Sequence, residues 1–172
     1  MQRTSFEGLP CSVARTLDAV GEWWSFLILR NVFYGIRRFE PLRSTLNISR
    51  KILADRLTTL VDRGILERRR YQDRPPRDEY RLTPMGVDLF PVLMALTRWG
   101  DRWLASSKGP PLQFRHTKCG QLTQARVVCA CGEELGAHNV RPVLGPGADP
   151  HYAEAIEQGA GREVFTRKAP PP

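Results

Sequence analysis

The sequence has few of the residues that catalysis usually needs. It contains three histidines, all after residue 115, and four cysteines among 172 residues, and it has no glycine-rich loop of the phosphate-binding form. An enzyme needs a nucleophile beside a general base, or a loop that holds phosphate groups, and neither pattern is present. The sequence therefore predicts that the protein is not an enzyme and requires no cofactor.

Long apolar runs and an export signal are also missing. No stretch approaches the roughly 20 uninterrupted apolar residues of a membrane-spanning helix. The first seven residues, MQRTSFE, show no charged segment followed by an apolar one, as a secretory leader would. We therefore expect a cytoplasmic protein with no membrane partner.

Acidic residues are fewer than basic ones. The chain has 26 Lys and Arg against 18 Asp and Glu, which gives a net charge of +8 and a pI near 9.9. Most of this excess lies between residues 36 and 81. A basic segment of this kind suits a polyanionic partner, although the pI alone does not identify it.

Residues 49–64 have the pattern of a capped amphipathic helix. Ser49 can accept a hydrogen bond from an amide of the first turn, and Gly64 can end the helix in the left-handed conformation. One face is apolar and consists of Leu53, Leu57, Leu60 and Val61. An ordinary surface helix would look the same, whereas in a helix-turn-helix protein the first residues of the recognition helix reach base edges. The candidates for DNA contact are then Ser49, Arg50, Lys51 and Asp55.

A basic hairpin over residues 66–82 favours the second interpretation. Its arms carry Arg68, Arg69, Arg70 and Arg81. Pro75 and Pro76 have no amide donors, so the tip is expected to be a loop without a regular ladder. Arg74 and Arg77 flank these prolines and are expected to bind phosphates or enter a narrow minor groove. The pattern predicts a winged helix-turn-helix, a mainly α fold with a small β-hairpin wing and double-stranded DNA as its partner.

Further helices are predicted on both sides of this unit. Ser12 is expected to cap a helix that extends to about Val20, and residues 22–34 predict a strongly apolar, buried helix. Residues 39–46 predict the leading helix of the helix-turn-helix. Thr83 and Pro84 are expected to start a longer helix that bends at Pro91.

This last helix carries an apolar seam. Its apolar positions from Met85 to Trp103 are spaced by three or four residues, as in a contact between two helices. Such a seam belongs either to the core or to a dimer interface, and its two tryptophans favour the interface. The expected dimerisation residues are Leu89, Leu96, Trp99 and Trp103.

The chain resembles the HxlR family of bacterial transcriptional regulators over about residues 10–104. The similarity lies in a set of segments in the family's order, none of which identifies the family alone. They are residues 11–24, 27–30, 38–43, 48–53 and 56–57, then Tyr71 with residues 75–83. The resemblance implies a homodimeric repressor or activator, and we expect a repressor. It also implies dimerisation through the first and last helices and a recognition helix that begins at Ser49.

The resemblance gives Cys11 a candidate role as a sensor. Several relatives are thought to sense electrophiles or oxidants through a cysteine near the amino terminus, which maps to Cys11. This residue precedes Ser12 and would lie near a helix N-terminus, whose dipole favours a thiolate, with Arg15 one turn further on. A cysteine at this place can also be a small buried hydrophobe. An electrophile or oxidant acting through Cys11 and a purely structural Cys11 are both consistent with the sequence. In the second case a small-molecule inducer could bind in a pocket between the dimer helices.

The other three cysteines lie in a predicted ribbon-like β extension. A Cys3His zinc site could be formed by His116, Cys119, Cys129 and Cys131. The single-residue gap between Cys129 and Cys131 is tighter than the usual two-residue gap, so reduced thiols are the alternative, and a reducing compartment disfavours a disulfide. A cysteine-zinc module that binds RNA or a protein partner is the competing function.

The sequence predicts three regions. Residues 1–106 are expected to form the DNA-binding and dimerisation domain, and residues 107–140 the cysteine-containing extension. Residues 141–172 are rich in glycine and proline and are expected to be a partly mobile tail.

Overall fold

The fold is taken from a computed structural model, which describes residue 6, residues 8–150, and residues 153, 154, 156 and 158. Helices and strands follow one another along these residues. They are α1 (Ser12–Val20), α2 (Trp23–Phe33), α3 (Phe39–Leu46), α4 (Arg50–Asp62), β1 (Leu66–Asp73), β2 (Pro76–Leu82), α5 (Pro84–Val87), α6 (Phe90–Leu104), β3 (Phe114–Arg115) and β4 (Leu122–Thr123). The molecule is therefore mainly helical with a small antiparallel hairpin, as predicted.

Helices α2 and α4 supply much of the core. Ile28 and Leu29 of α2, and Leu53, Leu57 and Leu60 of α4, are at most 1% exposed. The three leucines of α4 recur every three or four residues, so they share one face of the helix. Burial of each side chain contributes roughly 1.5–3 kcal/mol. The predicted apolar stripe of α4 is confirmed.

The predicted boundaries of α3 and α4 are also confirmed. α3 ends at Asn47, which adopts the left-handed conformation with a φ of 49°. The Ser49 hydroxyl oxygen then accepts a hydrogen bond from the amide of Ile52 at 3.2 Å and caps α4. Gly64 follows α4 with a φ of 67°, a conformation that costs little only in glycine.

The predicted cap of α1 is wrong. Cys11, not Ser12, occupies the N-cap position, and no side chain makes a capping hydrogen bond there. Ser12 is the first helical residue, and its backbone carbonyl accepts a hydrogen bond from the Thr16 hydroxyl at 2.9 Å.

The long helix predicted from Thr83 is interrupted. Thr83 does cap a helix, because its hydroxyl accepts a hydrogen bond from the Gly86 amide at 3.2 Å, but α5 ends at Val87 and α6 begins at Phe90. Pro91 accounts for the break. Its nitrogen has no hydrogen to donate to Val87, and proline is tolerated only in the first turn of a helix. The predicted bend is therefore a boundary between two helices.

The wing is a hairpin with a two-residue turn at residues 74 and 75. Its register runs from Leu66 opposite Leu82 to Asp73 opposite Pro76, with an irregularity between Arg70 and Gln72. The prediction that both prolines lie outside the ladder is thus wrong for Pro76, which is the first residue of β2. That end of a strand tolerates proline, because its missing amide interrupts no central ladder.

The segment before α3 extends this small sheet. The Tyr80 amide donates to the carbonyl of Arg37 at 2.8 Å, and Arg38 bridges Glu79 in antiparallel fashion. The wing is therefore fastened to the start of the helix-turn-helix.

The extension is attached to the core by aromatic and polar contacts. Phe114 of β3 lies edge-on to Phe90 with ring centroids 6.5 Å apart, and its ring is 6.3 Å from that of Tyr34. Arg98 of α6 donates to the carbonyl of Ala125 at 2.9 Å and pairs with Glu134 at 3.2 Å.

Among the described residues, none of the helices has the length and hydropathy required to cross a bilayer. The proposed division at residues 106 and 140 remains a prediction. The part of the predicted tail beyond residue 158 lies outside the described residues.

Candidate DNA-binding site

The first turn of α4 presents polar side chains to solvent. Lys51 and Asp55 are exposed on the side opposite the buried leucines. Ser49 orients this turn through its capping hydrogen bond to Ile52. The turn between α3 and α4 thus fixes the start of α4, and the DNA contacts of Ser49, Arg50, Lys51 and Asp55 stay a prediction.

Arg50 is held by contacts with α3. Its guanidinium donates to the carboxylate of Glu40 and lies 5.2 Å from the centre of the Phe39 ring. Glu40 also accepts a hydrogen bond from Arg43 at 2.9 Å, and this bond, together with the charge of Arg50, lowers the pKa of the Glu40 carboxyl. The carboxylate is therefore charged at neutral pH and orients two arginines. Glu40 is not singled out by the sequence, because its only mark there is a place in the first turn of α3.

The tip of the wing carries the least constrained arginines. Within the described residues, Arg69, Arg74 and Arg77 form no ion pair, and all three are exposed. Arg70 and Arg81, by contrast, are paired with Asp78 at 3.2 Å and Glu79 at 2.7 Å. Of the two wing arginines that are predicted to contact DNA, Arg74 lies in the turn and Arg77 lies next to it in β2. Guanidinium groups without an internal partner can bind phosphates bidentately.

The wing is stiffened by cation–π contacts in its middle and near its tip. Arg38 lies over the ring of Tyr71 at 4.1 Å, and Arg68 lies 5.8 Å from the centre of the Tyr80 ring. Tyr71 occupies the irregular position of β1, where the register shifts. The tip is therefore carried on a braced hairpin.

The distal end of α4 is fastened to α1 and α2. Arg63, at the C-cap of α4, donates to the carbonyl oxygens of Asp18 and Ala19, the second at 2.6 Å. Arg56 pairs with Glu22 at 3.3 Å. A displacement of α1 would therefore be transmitted to α4.

The seam residues divide into two groups. Leu96, Trp99 and Trp103 of α6 are 50%, 58% and 55% exposed, which is high for large apolar side chains. Leu89 differs, since it precedes α6 and packs against the core. It is a core residue at least in part.

Cys11 is half-buried at the N-cap of α1 and is a free thiol. Its carbonyl accepts a hydrogen bond from the Arg15 amide at 3.1 Å, which starts the helix. The predicted position at a helix N-terminus is confirmed, and the sensor role stays a prediction.

The four predicted zinc ligands form two separate pairs. Nδ1 of His116 lies 3.2 Å from Sγ of Cys119. Hydrogen bonds from the backbone and side chain of Cys131 lower the pKa of the Cys129 thiol. In the part of the chain that the structure describes, these pairs do not come together into a group of three or more metal-ligating residues. Zinc binding therefore stays a prediction.

Comparison with known proteins identifies the fold and class. The HxlR-like helix-turn-helix family model matches residues 19–108. The chain is 48% identical, over 83% of its length and 89% of the relative, to an uncharacterized HTH-type transcriptional regulator of Mycobacterium tuberculosis.

Two solved structures are similar as well. The crystal structure of PA1607, a proposed transcription factor, matches with a TM-score of 0.75 and 33% identity over 83% of this chain and all of that one. The redox regulator HypR in its reduced form matches with a TM-score of 0.51 and 31% identity over 54% of this chain and 92% of HypR.

Proposed function

The chain belongs to the HxlR-like helix-turn-helix family of transcriptional regulators, and from this premise we propose that it is a repressor that binds an inverted-repeat operator as a homodimer. Its family is one of regulators and not of enzymes. One observation carries the proposal. A serine-capped helix presents Lys51 and Asp55 to solvent, while the adjoining hairpin presents Arg74 and Arg77, which form no ion pair with another described residue.

The two surfaces are proposed to bind DNA differently. The first turn of α4 contacts base edges in the major groove, where an arginine reads guanine through two hydrogen bonds. The wing contacts phosphates, which adds affinity for any sequence because counterions are released. Glu40, which accepts a hydrogen bond from Arg50, is proposed to orient the guanidinium for its contact with a base.

Substitutions separate the two roles. Arg74→Ala and Arg77→Ala are expected to weaken binding to all sequences alike and to reduce the salt dependence by about one unit of slope each. Arg50→Ala and Lys51→Ala are expected to relax discrimination at particular base pairs, by roughly 1–3 kcal/mol for a bidentate contact. Binding is measured by fluorescence anisotropy at several salt concentrations, with an operator and its single-base variants.

Lys118→Ala is the matched control, since it removes one positive charge from the extension. It should change neither the affinity nor the salt slope. If neither the two α4 variants nor the two wing variants bind DNA differently from wild type, this surface is not the DNA-binding site.

The dimer is proposed to form through α6. Leu96, Trp99 and Trp103 leave a large apolar area exposed on one helix, and a second copy would cover it. Trp103→Asp is expected to give folded monomers by light scattering. Val143→Asp, at an exposed valine of the tail, should leave the dimer intact. A folded, dimeric Trp103→Asp protein would place the interface elsewhere.

An electrophile or oxidant is proposed as the inducer, acting on Cys11. The thiol lies at the start of α1, whose other end is bound to α4 through Arg63, so modification has a direct route to the recognition helix. The redox regulator HypR is a structural relative. Diamide is expected to release wild-type protein from DNA but not Cys11→Ser, whereas Cys119→Ser should respond like wild type. Wild-type protein that stays bound with Cys11 fully modified would make this cysteine structural.

A further inference from the structure

A half-open pocket of about 560 Å³ separates α6 from the extension. Met94, Thr97 and Arg98 line it from α6, and Phe114, Leu122 and Arg126 line it from the extension. This volume falls in the range of small-molecule sites, and more of the lining surface is polar than apolar. None of the residues assigned above to DNA contact, dimerisation or sensing lines it.

The walls of this pocket are fixed by contacts on both sides. Phe114 is set in place by Phe90, edge-on at 6.5 Å, and by Tyr34 at 6.3 Å. The Nη1 atom of Arg98 donates to the carbonyl of Ala125, at the rim, at 2.9 Å. Phe114 and Arg98 are therefore held in place before a ligand binds, so little ordering of these two side chains would accompany binding.

The charges that line the pocket favour an anion. Among the described residues that line the pocket, two carry a positive charge, Arg98 and Arg126, and one carries a carboxylate, Asp101. Glu134, which is outside the lining, pairs with Arg98 at 3.2 Å but only loosely with Arg126, at 3.9 Å. Arg126 is 72% exposed, so its planar fork can turn towards a carboxylate and bind it through two parallel hydrogen bonds.

We propose that this pocket binds a small organic carboxylate with an apolar, aromatic body. The body would lie against Met94, Phe114 and Leu122, and the carboxylate would bind Arg126 with Arg98 beside it. The extension forms one wall of this site. Almost all of HypR matches only 54% of this chain, so HypR is too short to contain the whole extension. The inference does not rest on the proposed function, because binding of the carboxylate can be measured without DNA.

Three probes that share a phenyl ring on a two-carbon chain test it by calorimetry on the full-length protein. They are 3-phenylpropionate, its neutral amide 3-phenylpropanamide, and the cation phenethylamine. We expect 3-phenylpropionate to bind once per chain, at least about tenfold more tightly than the other two, because a hydrogen-bonded charge is lost in the amide and reversed in the amine.

Two variants locate the site. Arg126→Gln is expected to weaken 3-phenylpropionate binding at least about tenfold, and Gln124→Trp, which places a large ring in the lining, to abolish it. Arg141→Gln removes the same charge from an exposed position outside the lining and should bind like wild type. Circular dichroism and thermal unfolding confirm that each variant is folded.

Any of four results would overturn the proposal. They are no binding of 3-phenylpropionate by wild-type protein at millimolar concentration, equal binding of the acid and the amide, tighter binding of phenethylamine, and full affinity in folded Gln124→Trp protein.

Discussion

The winged-helix core and the cysteine-containing extension are held in place by different interactions. In the core, side chains such as Leu42, Leu53 and Leu57 are fully buried, and Ser49 and Thr83 cap the helices they precede. In the extension, β3 and β4 are two residues long each, and large side chains such as Leu122 and Val127 are more than half exposed. The core can stabilise itself by burial, whereas the extension depends on contacts with α6.

Zinc would change this comparison most. A metal joining His116, Cys119, Cys129 and Cys131 would supply the extension with the stability that burial does not, since metal binding is then part of folding. If the prediction of zinc is right, purified protein carries about one zinc per chain by elemental analysis, and chelation loosens residues 112–140 while the core stays folded. If the purified protein is free of metal and its extension still resists proteases, the contacts of Arg98 and Phe114 stabilise the extension instead of zinc.

A pair of leucines tests the contrast in burial. Leu57→Ala should lower the free energy of unfolding by about 2–5 kcal/mol, because the side chain is fully buried and its removal leaves a cavity. Leu122→Ala, at a residue 55% exposed, should change it by no more than about 0.5 kcal/mol. Urea unfolding measures both. Similar losses for the two variants would mean that the extension unfolds together with the core.

A pair of serines tests the helix caps at a smaller scale. Ser49→Ala should cost about 1 kcal/mol, because the amide of Ile52 loses its hydrogen-bond partner. Ser12→Ala removes the same hydroxyl one residue inside α1, where it caps no amide, and should cost much less. Thermal unfolding of the two variants side by side provides the measurement. An equal cost would mean that the hydroxyl of Ser49 does not act as a cap.

The sequence predicts the core better than the extension for physical reasons. The leucine spacing of α4, its serine cap and Gly64 act within one helix, so they can be recognised without knowing the fold. Glu40 and Arg63 could not be found in this way, because their roles arise when α3 meets α4 and when α4 meets α1. Pro91 marks a disturbance in the sequence, but the sequence alone does not decide between a bend and the break that separates α5 from α6.

The extension shows the limit of the same reasoning. The spacing of its histidine and cysteines suggests one ligand cluster, yet among the described residues His116 contacts Cys119 and Cys129 contacts Cys131, with no group of three or more. The contacts of Arg98 and Phe114, which attach the extension to the core, could not be predicted either, because no local sequence pattern marks them.

Selection of bound duplexes from a random DNA pool tests the central claim most directly. A twofold-symmetric dimer places two copies of α4 in successive major grooves of one DNA face. The account predicts enrichment of an inverted repeat whose half-sites are about one helical turn, or 10 base pairs, apart. The Arg50→Ala protein should accept changes at one position of each half-site. Enrichment of non-palindromic sequences, or no enrichment at all, would contradict it.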